Sequence, residues 1–194
     1  VRADVPLLGA VATADTADGF DVLLSVLPDI LRNDCQVGIV WNGDENAPQL
    51  AEIKEIAGRF SDRLGVVVNT TDGAALHRAV AGADLFVVPS RRTHALTHLL
   101  AQRYGALPIV PGTGGFVDAV VDCDSGLVTG TGFVFEELTG EATLAAVRRA
   151  FAAYTKGEAF AGRQSHAMRV DHSRAHMQAF AWFERHRILS FLLP

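Results

Sequence analysis

"DLFVVPSRRTHALTHLLAQRYGALPIVP", residues 84–111, carries the pattern on which the fold turns. It opens on one strand-like run, Asp84–Ser90 with "LFVV" at its centre, and closes on another, Ala106–Pro111. Runs this short and this apolar fit strands buried on both faces. Between them Thr97–Gly105 reads as a helix. Strand, helix and strand at this spacing form a crossover unit whose two strands run parallel. The loop before the helix holds Arg91, Arg92 and His94, with His98 just inside, and no carboxylate.

The same alternation extends in both directions. Upstream, Pro6–Ala12, Cys35–Asn42 and Arg63–Asn69 read as strands. Helices are expected over Gly19–Asp34, Ala47–Phe60 and Asp72–Ala83. In the first, Phe20, Leu23, Leu24, Leu27, Ile30 and Leu31 recur at helical spacing, and Pro28 is expected to kink it. Pro48 suits a first turn, and Asp72 is a candidate cap. Downstream, Thr129–Glu136 reads as a last strand, Gly140–Gly157 as a helix, and the tail from Glu158 as more helix. The expected architecture is α/β, a doubly wound parallel sheet with helices on both faces. It is read as a single domain over 1–194, with a helical tail over 172–194. Ligands of such sheets sit beyond the C-terminal strand ends. Those ends are the loops Ala12–Asp18, Trp41–Asn46, Asn69–Asp72, Ser90–Leu96 and Pro111–Phe116.

Composition narrows the function. The net charge of −5 argues against a nucleic-acid or membrane-surface footprint. No apolar run reaches the roughly 18 residues of a membrane-spanning helix. Two cysteines, Cys35 and Cys123, are too few for a disulfide framework and lack metal-ligand spacing. They read as small core residues of a protein from a reducing compartment, the cytoplasm. The chain begins at Val1 and goes almost at once into a strand, as expected of a piece of something longer.

Five segments carry a family resemblance: "GFDVLLSVLPDIL", "HRAVAGADLFVVPSR", "QRYGALPIV", "TGGFVDAVVD" and "TGTGFVF". In this order the chain, from about Pro6 to about Asp171, resembles the C-terminal half of glycogen and bacterial starch synthases. These are glycosyltransferases of the GT-B fold, and the resemblance implies a Rossmann-like domain of that fold. It also implies glucose transfer from ADP-glucose or UDP-glucose to an α-1,4-glucan, with retention, in the cleft between two domains. The N-terminal domain would be missing here, and the substrates would be its partners; no cofactor or metal is implied.

The resemblance fails at the polar donor-site positions. The family opens this domain with a pattern like S-R-L-x-x-Q-K-G, whose Arg and Lys hold the diphosphate. Here "ATADTADG" puts Thr13 at the Arg position and Asp18 at the Lys position. A carboxylate facing a diphosphate reverses the required electrostatics. The family's P-S-R-F-E-P-C-G-L-T-Q corresponds to "PSRRTHALTH", one residue shorter. Pro89, Ser90, Arg91, Leu96 and Thr97 match. The Glu that lies against the sugar is lost, with Arg92 or Thr93 nearest. Ala95 replaces the glycine and His98 the glutamine. The family's adenine-stacking aromatic corresponds to Thr71. Donor-binding candidates are therefore Thr13, Arg91, Leu96, Thr97, Thr113, Gly114 and Gly115, with no catalytic residue assigned. The Thr113–Gly115 turn serves either close backbone approach to a ligand or a tight strand-to-helix connection. Arg91, Arg92 or His94 are the cations that remain to substitute for those lost. The chain reads as a donor half whose framework survives and whose donor chemistry is largely gone, inactive alone. The alternative is a non-catalytic scaffold, regulatory or glucan-binding module.

Other features are weaker. "GTGGF" (Gly112–Phe116) lacks the third glycine of a dinucleotide fingerprint, since Val117 stands there. His94 and His98 are four apart, but Thr97 opens the helix and no acidic or thiol ligand is near. His172 and His176, beside Arg169 and Arg174, read as a solvated basic helix face, with partner binding as the sharper alternative. Arg148 and Arg149 read as surface charge. The apolar tail Ala179–Leu193 suits packing on this core, packing across the domain junction, or dimerisation.

Overall fold

Six parallel strands, numbered along the chain, form one sheet in the spatial order third, second, first, fourth, fifth, sixth in the computed structural model, which describes residues 2–68, 74–92 and 96–172. The strands are β1 (Leu7–Ala12), β2 (Gln36–Trp41), β3 (Leu64–Val68), β4 (Leu85–Val87), β5 (Leu107–Pro111) and β6 (Phe133–Phe135). The helices are α1 (Phe20–Leu31), α2 (Pro48–Arg59), α3 (Ala74–Gly82), α4 (Thr97–Tyr104), α5 (Phe116–Ala119), α6 (Gly140–Tyr154) and α7 (Glu158–Ala167). This is the doubly wound α/β sheet that the alternation of periods predicts.

Burial explains why the strands lack polar alternation. Every residue of β4 and β5 is buried. Leu8, Ile39, Leu85 and Ile109 face a layer built from α1, α2, α6 and α7. Phe86, Val88 and Val110 face the other layer, with Val80, Ala101 and Phe116. Trp41, Phe20, Phe86 and Phe116 are among the fully buried large side chains. Each contributes roughly 1.5–3 kcal/mol relative to exposure. Cys35 and Cys123 are buried, and burial pushes both thiols up to about 11. That agrees with their reading as core residues.

Local chemistry sets the element ends. Helix α1 continues through Pro28 to Leu31. A proline lacks the N–H that would meet the Leu24 carbonyl. Helix α6 starts at Thr139, whose side chain accepts a hydrogen bond from the Ala142 N–H at 3.2 Å. Thr139→Ala is expected to cost about 1 kcal/mol in urea unfolding; an unchanged midpoint would show that the cap contributes nothing.

Three expectations are corrected. The last strand covers Phe133–Phe135 rather than Thr129–Glu136. Thr129 is instead drawn onto Asp124 through both its N–H and its hydroxyl, and the Thr131 hydroxyl accepts from the Val121 N–H. Asp124 thus holds the chain up to Thr129 in a loop, and Gly132 makes only an isolated parallel bridge with Asp122. The strand expected over Asp84–Ser90 spans only Leu85–Val87. His172 is not on a solvated helix face: its Nε2 lies 2.6 Å from Oε1 of Gln102, a fully buried residue. The Gln102 amide NH2 donates to the Ala119 and Thr131 carbonyls, which leaves its oxygen to accept from His172. Residues 173–194, Asp72 and Thr71 lie outside the described residues, and with them the tail, cap and adenine-stacking readings.

The strand order places the site. β4 pairs with β1, and Ala10 stands in register with Val87. The loops that follow these strands therefore lie side by side although some 75 residues separate them in sequence.

Candidate functional site

The loop after β1 turns through a short 3-10 helix, Thr16–Asp18, capped by Asp15, whose carboxylate accepts from the Ala17 N–H at 2.9 Å. Gly19 follows at φ 69°, with its Cα packed on the chain after β4. A Cβ built there would stand 1.6 Å from the Pro89 carbonyl oxygen. Only glycine permits that approach. The two loops are also joined through the Arg91 N–H and the Ala17 carbonyl, 3.0 Å apart.

Side chains complete the junction. The Arg92 guanidinium pairs with Asp15, and its Nε lies 3.0 Å from Asp18. The Thr13 hydroxyl donates to the other oxygen of Asp18 at 2.6 Å. Arg91 forks onto both oxygens of Asp21 at 2.7 and 2.9 Å and also donates to the Thr16 carbonyl. The Ala17 N–H and then Arg92 hold the Asp15 carboxyl below its usual range. The Arg91 hydrogen bonds do the same for Asp21. At neutral pH these groups are carboxylates. Three carboxylates against two guanidiniums leave this mouth, among the described residues, with one net negative charge.

Of the sequence-derived candidates, Thr13 and Thr97 line one cleft, together with Asp18 and Ser90. Its volume is about 130 Å³, against roughly 300–1,000 Å³ for typical small-molecule sites. Arg91 is turned away from it onto Asp21. Leu96 is 70% exposed and does not line it. Thr113, Gly114 and Gly115 lie past the end of β5 and are not part of this cleft. Gly114 has φ 55°, and Gly115 leads directly into α5, so the turn is a strand-to-helix connection. Thr93, His94 and Ala95 lie outside the described residues.

His98, next to Thr97 in α4, is buried with its ring edge-on to Phe116 at 4.9 Å. It thus packs α4 against α5 rather than facing solvent. No cluster of three or more His, Cys, Asp or Glu suited to a metal occurs among the described residues. None of their helices is long and apolar enough to cross a membrane.

Asp15 and Asp21 were not recognised as site residues from sequence. The only signal was the acidic spacing of "DTADGFD" beside a loop that offers arginines and no acids. Nothing local shows that the two loops meet.

Comparison with known proteins agrees with the fold. The chain is 38% identical over 175 residues to a glycogen synthase of Anaeromyxobacter dehalogenans, covering 89% of this chain and 36% of that protein. It is 39% identical over 171 residues to the glycogen synthase of Vibrio parahaemolyticus, covering 87% and 34%. The chain therefore spans about a third of the length of these relatives. Among solved structures, the catalytic domain of starch synthase IV from Arabidopsis thaliana, bound to ADP and acarbose, matches 94% of this chain and 38% of its own, with a TM-score of 0.80 and 25% identity. A glycosyltransferase from Rickettsia africae shares the fold, with a TM-score of 0.64 and 20% identity. The family model described as glycosyl transferases group 1 matches residues 5–152. With its parallel Rossmann-like sheet of the GT-B type and this match over most of its length, the chain belongs to the glycosyl transferases group 1 family.

Proposed function

We propose that this chain is the nucleotide-sugar half of a glycogen or starch synthase-like glucosyltransferase whose donor site has been neutralised from within, so that it is inactive alone. Such a reaction breaks the bond between glucose C1 and the diphosphate and forms one to a glucan hydroxyl oxygen. Negative charge grows on the leaving diphosphate, and cations or N–H donors must meet it. The observation that supports the reading is the state of Arg92. Of the two arginines, it is the one beside the Thr13–Asp18 cleft, and Asp15 and Asp18 already hold it. A guanidinium in that state has little left to offer a phosphate. The carboxylates that neutralise it also repel the ligand.

Thr13, Arg91, Leu96, Thr97 and the Thr113–Gly115 turn remain the proposed donor-side positions, now as framework rather than chemistry. The skeleton suits a scaffold, regulatory or glucan-binding role beside the other half of the protein.

Calorimetric titration of this chain with ADP-glucose, UDP-glucose and ADP tests the reading. No binding tighter than about 1 mM is expected, roughly −4 kcal/mol. A dissociation constant in the low micromolar range, together with glucan extension by the longer protein that carries this half, would overturn it.

A further inference from the structure

The two outer edges of the sheet are treated differently. At β6 the Val134 N–H donates to Asp122 at 2.7 Å, and Arg149 donates to the Val134 carbonyl at 2.6 Å while pairing with Asp122. Arg149, which reads from sequence as mere surface charge, thus closes that edge. The β3 edge has no such cover among the described residues. The register on β2, with the Val37 N–H bonded to the Arg63 carbonyl at 2.7 Å, turns the backbone groups of Gly65 and Val67 inward. Those of Val66 and Val68 point outward. The Leu64 N–H folds back to the Phe60 carbonyl at 2.9 Å, and the Leu64 carbonyl points out. The strand, Leu-Gly-Val-Val-Val, carries no charge and no proline, the usual guards of an exposed edge.

Beside it lies an apolar groove of about 460 Å³ on the α3 face of the sheet. Gly38 and Gly65 stand in register on its floor, and a Cβ added to either meets nothing within 4 Å. Val67, 51% exposed, forms its rim. Among the described residues the groove therefore has a floor and an inner wall, against α3, but no outer wall.

We propose that β3 is a self-association edge, to which a second copy of this chain adds its own β3 antiparallel, with Val66 on the twofold axis. This register is self-complementary. The two Val66 residues exchange both backbone hydrogen bonds, and each Val68 N–H meets the partner's Leu64 carbonyl. Val67 then stands across from the partner's Gly65, in the closely spaced kind of pair, and fills the space that the glycine leaves. Each copy supplies the outer wall of the other's groove. Centring the pair on Gly65 or Val67 would instead set glycine against glycine or valine against valine on the groove face, so the Val66 register is the one that lays each Val67 over the partner's Gly65. The interface is isologous and closes as a dimer. It involves neither the Thr13–Asp18 cleft nor its charges, so it stands apart from the functional reading.

Sedimentation equilibrium of this chain between about 1 µM and about 1 mM covers the range of weak association. A monomer–dimer equilibrium is expected, with Val66 and Val68 amide exchange slowing on concentration. Val66→Pro removes the central N–H without touching the β2 ladder, and is expected to abolish the dimer. Because the Val66 side chain also packs on the core, Val67→Lys, at an exposed position, is the safer variant; it should weaken dimerisation at least about tenfold. A chain that stays monomeric throughout overturns the proposal. So does a dimer that both folded variants retain, or protection of the β3 amides found only in the longer protein, where its other half would be the cover.

Discussion

Gly19→Ala is expected to destabilise the chain by about 3 kcal/mol, the sum of left-handed backbone strain and overpacking. Two features make the position intolerant. Its φ of 69° is strained for any residue with a Cβ. The added carbon would also stand 1.6 Å from the Pro89 oxygen, which belongs to backbone and cannot swing aside. The loop after β1 would have to lift off the end of β4, and the Arg92–Asp15, Arg92–Asp18 and Arg91–Asp21 pairs would be pulled apart with it. Gly105→Ala is the control. There φ is 87°, but the Cβ meets only the end of the flexible Met168 side chain, at 3.1 Å. Strain alone predicts about 1 kcal/mol. Urea unfolding of both variants checks the difference. Equal losses would mean that contact with Pro89 adds nothing.

Reversing charge at the site mouth is expected to produce the largest functional change. Thr13→Arg with Asp18→Lys removes one carboxylate and adds two cations. The mouth then passes from one net negative charge to two net positive among the described residues. Arg92 also loses one of its two carboxylate partners. ADP affinity is expected to rise at least about tenfold over the parent chain, measured by calorimetry at low ionic strength, and to fall again as salt screens the site. An affinity that stays unmeasurable in a variant shown to be folded would mean that cleft shape, and not charge alone, excludes the nucleotide. The 130 Å³ cleft makes that a real contest, since the cations must open the site as well as attract the ligand.

Much of the fold could be read locally. Buried strands announce themselves because both faces must be apolar, as in "LFVV", and helices because their apolar residues recur every three or four positions. The observed elements follow those expectations to within a few residues, except near β6. There Asp124 gathers Gly126, Val128 and Thr129 N–H groups into a loop that apolar periodicity does not reveal. The buried role of Gln102 and His172 was equally invisible, since their spacing of 70 residues carries no pattern.

The site divides in the same way. That residues 13 and 18 are a threonine and an aspartate, and not cations, is plain from the order of residues, because it is a matter of which side chain stands where. Whether Arg91 and Arg92 could stand in as cations there is not, because whether their charge is already compensated depends on neighbours about 75 residues away. The pairing of β1 with β4 brings Asp15, Asp18 and Asp21 against them. Hydrophobic periodicity is a property of adjacent residues and survives in the one-dimensional string. Electrostatic neutralisation falls off over a few ångströms of space, so it exists only once the sheet has set the two loops side by side.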